Sequence, residues 1–413
     1  MRISSMQQFN QGVTGITNNQ EIVNRSQQQI SSGRRILTPA DDPIASTRIL
    51  QLQQDIALRE QYAGNLISAK NHLNHEEVTL GGVIDNLQKI RELTVQAGNG
   101  STTKDDRGFI SAEIEERLKS MVDLLNTRDA SNIYIFSGFK GENVPFVERA
   151  GGGYSFEGDQ GQRSLQVSAN ASVAVNDSGE GLFVDVPSVN NTFFTRDNPK
   201  NAGNGVINVG FIRDQVEFDA VYPENYYIEF NSDSALTPPR ENYTVRRTSD
   251  DRPVDGLSNR PYSAGNDITF AGLSVKVSGR PEPGDSFLVN SSEKQSLTDT
   301  VQMLIEGLNN FEDTAAGSEQ LGALISNTLT NIDSTVTSIS TTRSEIGARL
   351  NSVEAIDNFQ QDLELVSQQA LSTLQDLDFA EAVSRLSLES FLLEASQQTY
   401  SKISGLSLFN FIR

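Results

Sequence analysis

The chain has no cysteine, no tryptophan and only two histidines in 413 residues. Without cysteine there can be no disulfides, thiolate zinc sites or iron–sulfur clusters. Such a chain suits work outside the reducing cytosol without covalent staples. No stretch approaches the ~18 consecutive apolar residues that suggest a membrane helix. Basic residues are outnumbered 33 to 54 by acidic ones, which leaves a net charge of −21. Phosphate backbones and anionic membrane surfaces are repelled by such a chain, so neither nucleic acid nor membrane is expected as a partner. Apolar residues are 36% and aromatics 7%. Ser, Thr, Asn and Gln fill the deficit, which favours polar coiled coils and solvated β-structure over a compact enzyme. The segment Met1–Val13 has neither an apolar core run nor an A-x-A site, so it does not read as a secretory signal.

Proline is nearly absent from both ends. Ten of the twelve prolines lie between Pro145 and Pro283, and the other two are Pro39 and Pro43. Between these landmarks the period changes. Met6, Phe9, Val13, Ile16, Gln20, Val23, Gln27 and Ile30 step 3-4-3-4, as do Phe379, Val383, Leu386, Ser390, Leu393, Gln397 and Tyr400. That spacing keeps one stripe on one helix face and marks a helix that packs on another. Gly33 is placed as a C-cap, Asp41 or Asp42 as the next N-cap, and Pro43 in the first turn. Ile49 to Leu87 then hold the same alternation, and Ala97-Gly98-Asn99-Gly100 ends it. About 55 residues at 1.5 Å each make a rod of about 80 Å. A shorter helix is expected from about Gly108 to Arg128, and Ile133–Phe136 reads as strand.

From about 141 to 290, short β-rich runs alternate with Gly, Pro, Asn and Asp turns. The runs are Ser164–Val167, Phe183–Val186, Tyr226–Phe230, Tyr243–Arg246, Ile268–Phe270, Leu273–Val277 and Phe287–Val289. Helix returns near Ser296, with Leu297–Phe311 and then a long helix from Leu321. The last stripe runs to Ile403 and is expected to break at Ser404-Gly405. The expected fold is α+β and multidomain: a long antiparallel helical coiled-coil bundle formed by both chain ends, carrying an inserted all-β, sandwich-like domain. Its expected parts are 1–40, 41–140, 141–290, 291–372 and 373–413.

No catalytic, metal or cofactor site is expected. His72 and His75 are three apart and do not match H-E-x-x-H, so they read as polar residues on an exposed helix face. Gly151-Gly152-Gly153 lies among β-signals with no following helix and reads as a flexible turn rather than a phosphate loop. Asn176-Asp-Ser-Gly179 has a fragment of a calcium loop without the later Glu. No G-x-S-x-G occurs. Asp41-Asp42 is explained by a helix cap. The terminal stripes remain: they are polar, lie beyond turn signals, and nothing else in the chain is left to cover them. The expected subunit and partner contacts are Met6, Phe9, Val13, Ile16, Val23 and Ile30 on the first, and Phe379, Val383, Leu386, Leu393, Tyr400 and Ile403 on the last.

Several motifs in order resemble the flagellin superfamily. They are Met1-Arg-Ile-Ser4, Gln29-Ile-Ser-Ser-Gly33 with Pro39-Ala-Asp-Asp-Pro43, Ile90–Gly100, and Asp376-Leu-Asp-Phe-Ala-Glu-Ala-Val383. They span about the first 140 and last 120 residues, leaving about 150–290 uncovered. Pro39 and Pro43 around the Asp pair, Ile133-Tyr-Ile-Phe-Ser-Gly138 with Pro145-Phe146, and the ending Leu408–Arg413 resemble the hook–filament junction branch more than filament flagellin. The resemblance implies a structural, non-catalytic adapter. The terminal helices would line the inner wall of a tube, with the β-domain outward. Export would be unfolded, through the flagellar type III apparatus. The implied partners are the first hook-associated protein, flagellin, further copies of the chain in a ring, and an export chaperone on the C-terminal helix. Two other readings are a short flagellin that forms the filament itself, and an exported enzyme whose 141–290 insert works through a carboxylate pair.

Overall fold

In the computed structural model, residues 5–411 are described, with side chains for residue 7 and for 9–402. The Met6 and Ile403 side chains, the opening Met1–Ser4 and the side chains of the ending Leu408–Arg413 lie outside the described residues. Seven helices and thirteen strands occur among the described residues. The chain divides into two compact units, Met1–Gly64 with Ala355–Arg413, and Asn65–Glu354.

The first unit is helical. Helix α1 spans Ser5–Ser32 and stops at Gly33, whose φ of +69° is the left-handed turn a C-terminal glycine supplies. Helix α2 spans Pro43–Ala97. The Asp42 carboxylate accepts the Ala45 N–H at 2.9 Å, and Pro43 occupies the first turn. Helix α6 spans Ala315–Gln375, starting six residues before the expected Leu321, and α7 spans Phe379–Phe411. The expected break at Ser404-Gly405 is absent. One interior glycine costs a helix about 1 kcal/mol, and no proline follows to enforce a stop.

The second unit holds residues 65–97 of α2, residues 315–354 of α6 and the remaining elements. Helix α3 spans Lys104–Leu125 and begins earlier than about Gly108, because Thr103 and Asp106 form a reciprocal capping box. Helix α5 spans Leu297–Asn310, capped by Ser296. The β-region comprises β1 (Phe146–Glu148), β2 (Tyr154–Phe156), β3 (Ser164–Ser168), β4 (Ala171–Ala174), β5 (Val186–Asp197), β6 (Val206–Ile207) and β7 (Phe211–Ile212), then β8 (Tyr226–Asn231), β9 (Asn242–Arg247), β10 (Arg260–Pro261), β11 (Asp267–Phe270), β12 (Leu273–Ser278) and β13 (Ser286–Gln295). Five strands pair in the order β10-β9-β8-β13-β5, and β11-β12-β6 form another sheet with β7 also on β12. All pairings are antiparallel. The Tyr226 ring of the first sheet meets Phe270 of the second edge-on at 5.2 Å, so the apolar faces of the two sheets share a core. Helix α4, Gln215–Val221, interrupts the strands behind an Asp214 cap.

Two expected strands are not strands. Ile133–Phe136 forms irregular turns with one isolated bridge, Arg128 to Tyr134. Tyr134, Ile135 and Phe136 are buried as a plug, Phe136 against Phe183 at 5.2 Å, and Ile133 is half-buried. Glu180–Val184 is a single π-turn, and the strand begins only at Val186. Both runs are apolar because they are buried, and a short apolar run by itself does not distinguish a strand from a plug. Gly151–Gly153 is a close-packed hairpin turn rather than a flexible one. Gly152 and Gly153 have positive φ, and a Cβ on Gly151 would meet the Ile207 carbonyl oxygen at 2.0 Å.

Candidate functional site

The terminal helices pair with each other, antiparallel. Phe9 meets Tyr400 at 5.5 Å between ring centres, Asn19 Nδ2 donates to Ser396 Oγ at 2.8 Å, and Gly33 lies beside Phe379. The paired ends are tied at the two loops. Leu377 N–H donates to the Gly33 carbonyl at 3.0 Å and Arg35 N–H to Gln375 at 2.8 Å. The Arg35 guanidinium reaches the Leu374 carbonyl at 2.9 Å and so caps the end of α6. Asp378 caps the start of α7 through the Ala380 and Glu381 amides. Asp41, the other member of the acidic pair, folds its own loop. It accepts from the Leu37 and Thr38 amides and from Arg25. The Thr38 amide, then that of Leu37, holds the Asp41 carboxyl below the usual range.

The seam follows two heptad rails on each helix. On α1 one rail is Phe9, Ile16, Val23 and Ile30, as expected from sequence. The other is Gly12, Asn19, Ser26 and Gly33, one residue before the expected Val13, Gln20 and Gln27. On α7 the rail Leu386, Leu393 and Tyr400 is as expected. The other rail is Ala382, Glu389 and Ser396, one residue before Val383, Ser390 and Gln397. A one-residue shift turns a helix face by about 100°. The cause is size. A Cβ on Gly12 would sit 2.7 Å from the Tyr400 ring, so small residues on this rail let the two backbones close.

That choice leaves large apolar groups outside. Of the expected contacts, Val23 is buried, and Ile16, Ile30, Leu386, Leu393 and Tyr400 are half-buried. Phe9, Val13, Phe379 and Val383 are exposed. The sequence reading passed over Leu388, Phe391 and Leu392 on the far face of α7, which are 58%, 65% and 48% exposed. Their signal was present in the sequence, since only a helix apolar on two faces places leucine and phenylalanine off its stripe. Where α2 and α6 enter this unit, the buried contacts are polar. Arg59 holds Asp55 at 2.9 and 3.2 Å and Gln360 at 2.9 Å, and Ser367 Oγ donates to Asp55 at 3.1 Å.

The remaining candidates have local roles. His72 and His75 are half-buried rather than exposed. His72 Nδ1 lies 3.5 Å from Asp129 Oδ2, and His75 Nε2 lies 3.2 Å from the Arg128 carbonyl, so both brace the 128–134 turn. No group of three or more His, Cys, Asp or Glu side chains suited to a metal occurs among the described residues. A cleft between β5 and α6 is lined by amides and hydroxyls, among them Asn190, Thr192, Gln215, Asn327 and Asn331, with Arg213 as its charged member. Asn331 accepts the Val189 N–H at 3.1 Å and Asn190 donates to Asn327 at 2.6 Å. Asn331 at the Val189 N–H, and Gln215 at the Asn191 carbonyl at 3.0 Å, occupy backbone groups of the edge strand that would otherwise be open to pairing with another chain.

Comparison with known proteins gives the family of the chain. The model of the bacterial flagellin N-terminal helical region matches residues 3–140, and that of the C-terminal helical region matches 329–412. Flagellar hook-associated protein 3 of Escherichia coli (strain K12) is 24% identical over 99% of both chains. The crystal structure of flagellar hook associated protein-3 from Legionella pneumophila is 30% identical, covering 79% of this chain and 98% of that one, with a TM-score of 0.53. Flagellin of Escherichia coli (strain K12) is 33% identical but over 103 residues, 25% of this chain and 21% of its own.

Proposed function

The chain belongs to the flagellin superfamily, on the hook-associated protein 3 branch, and from that premise we propose that it is a structural adapter of the bacterial flagellum, joining hook to filament and working outside the cell. The observation that carries the reading is the terminal helix pair. It closes on small and polar residues and turns Phe391, Leu388 and Val383 outward, so its apolar surface is available to neighbouring copies. Match length favours the adapter over a filament subunit. The hook-associated relatives align along the whole chain, and the flagellin of the same organism only over a quarter of it.

The proposed parts are the polymerisation helices 1–40 and 373–413, the helical bundle 41–140 with 291–372, and the β-insert 141–290. Neighbouring copies meet along the exposed members of the expected contacts, Phe9, Val13, Phe379 and Val383, together with Leu388, Phe391 and Leu392, while Ile16, Val23, Ile30, Leu386, Leu393 and Tyr400 hold the helix pair itself. The first hook-associated protein lies below the ring of copies and flagellin above it. An export chaperone covers the same C-terminal helix before assembly, which keeps its apolar side chains from aggregating. The proposed role is structural, and the amide-lined cleft serves to hold the chain's own edge strand, with Asn331 accepting the Val189 N–H.

Immunogold labelling of isolated flagella tests the reading. One cluster of label at each hook–filament boundary is expected, and label along the filament would replace the adapter by a filament subunit. A Leu388→Ser, Phe391→Ser, Leu392→Ser variant should remain a folded monomer yet leave flagellin in the medium. Normal filaments on cells carrying only that variant would remove α7's outer face from the mechanism.

A further inference from the structure

Helix α2 buries a strict 3-4 series through the second unit: Leu66, Ala69, Leu73, Glu76, Leu80, Val83, Leu87 and Ile90. Glu76 is the one ionisable member, and it is 1% exposed. Its Oε1 accepts the backbone N–H of Asp177 at 2.9 Å, while Oε2 is buried with no hydrogen-bond partner. Asp177 opens the turn that leads through the π-turn into β5. Arg349 of α6 grips the Asp177 carboxylate with two bonds, 2.8 and 3.0 Å, and Gln162 adds a third at 2.7 Å. The rest of the turn is fastened too. Asn176 Oδ1 accepts the Arg163 N–H, Ser178 Oγ donates to the Asp159 carbonyl, and Gly179 N–H donates to Phe136. The calcium-loop fragment is therefore a clasp between α2, α6 and the head of the β-region.

An ionised carboxylate at Glu76 would be dehydrated, would leave one oxygen without a donor, and would face the Asp177 carboxylate. We propose that Glu76 is a proton-controlled latch: with its carboxyl neutral it holds the turn 176–179 on α2, and on losing the proton it releases that turn.

The surrounding charges set the balance. From the turn comes Asp177, from the segment before β3 Arg163, and from α6 Arg349, itself 3.5 Å from Glu345. On α2, Glu77 is engaged by Arg343 of α6, and His72 and His75 face the 128–134 turn. Burial pushes the Glu76 carboxyl up to about 8, with Asp177 adding to the rise, and the Asp177 amide, Arg349 and Arg163 opposing it. For an acid raised this way, the fold holds a proton that the unfolded chain has released. The latch's contribution is thus complete below the unfolded value near 4.5 and is lost as pH rises through about 8.

Hydrogen exchange of the full chain at about pH 6 and about pH 9.5, corrected for intrinsic rates, tests this. Wild-type amides across 177–184 should lose protection at least about tenfold between the two, the effect of a shift of about one pKa unit or more. Strand β13 should keep its protection, and Glu76→Gln should keep that of both segments. Unchanged protection in the wild type, equal loss in Glu76→Gln, or equal loss in β13 would overturn the latch. If Glu76→Gln fails to fold, the wild type still decides. The infrared band of a buried protonated carboxyl should vanish in step with the loss of protection, and loss without that band vanishing overturns the proposal.

Discussion

One heptad rail of α6 passes from one unit into the other. Ile332, Ile339, Ile346 and Val353 lie in the unit Asn65–Glu354, and Gln360 and Ser367 in its counterpart; all six are buried. The backbone pattern continues while the chemistry changes from apolar to polar at the boundary. Around the apolar half, Leu66, Leu73, Leu80, Leu87 and Ile90 of α2 are fully or almost fully buried. Around the polar half, the buried apolar residues are Val23, Ala45, Tyr62, Leu377 and Ala382 among the described residues, while Ile44 is 80% and Phe359 59% exposed. Burying a large apolar side chain contributes about 1.5–3 kcal/mol. The Asn65–Glu354 unit therefore holds its shape by its own core, and the terminal unit keeps most of that driving force for contacts it makes on assembly.

The largest expected effect is in local stability. In the isolated monomer, amides of α1 and α7 should exchange faster than those of 66–90 and 324–353 by about a thousandfold or more, since helices paired without a core open at little cost. Comparable protection, measured by hydrogen exchange on a monomer verified by sedimentation, would erase the distinction between the units. Next in size, Leu73→Ala or Ile339→Ala should cost about 2–5 kcal/mol in the denaturation of the Asn65–Glu354 unit. Ile16→Ala, at a half-buried site, should cost about 1 kcal/mol or less.

Gln360→Leu would extend the apolar rail across the boundary. It should raise the stability of the terminal unit by about 1 kcal/mol net of the lost bond to Arg59, read by chemical denaturation followed by α7 exchange. Gly12→Ala should loosen the helix pair by about 1 kcal/mol despite alanine's better helix propensity, because its Cβ collides with Tyr400. The smallest effect is at Asp41. Its carboxyl is held below the ordinary range, so its support is present above the unfolded value of about 3.8 and lost as pH falls through the lower folded value. The Leu37 and Thr38 amides should lose protection only in that acid range.

The order of helices, β-insert and helices, the helix caps and one rail of each seam were legible from sequence because they depend on neighbours three or four residues away. Helix period, proline placement and the Asp42-Pro43 start are local properties of the chain. The second rail was not legible. Choosing the most apolar position favoured Val13 and Val383 over Gly12 and Ala382, and no local signal marked Glu76 as a buried member of α2. The tertiary structure selected the other set, because closing two backbones rewards small side chains and because Glu76 finds an amide on a turn a hundred residues away. The same limit explains Ile133–Phe136 and Phe183, whose apolarity determined burial but not backbone shape. What the sequence alone determined is periodicity, punctuation and charge; which face of each helix turned inward was decided by residues distant in the chain, through the space they leave and the hydrogen bonds they offer.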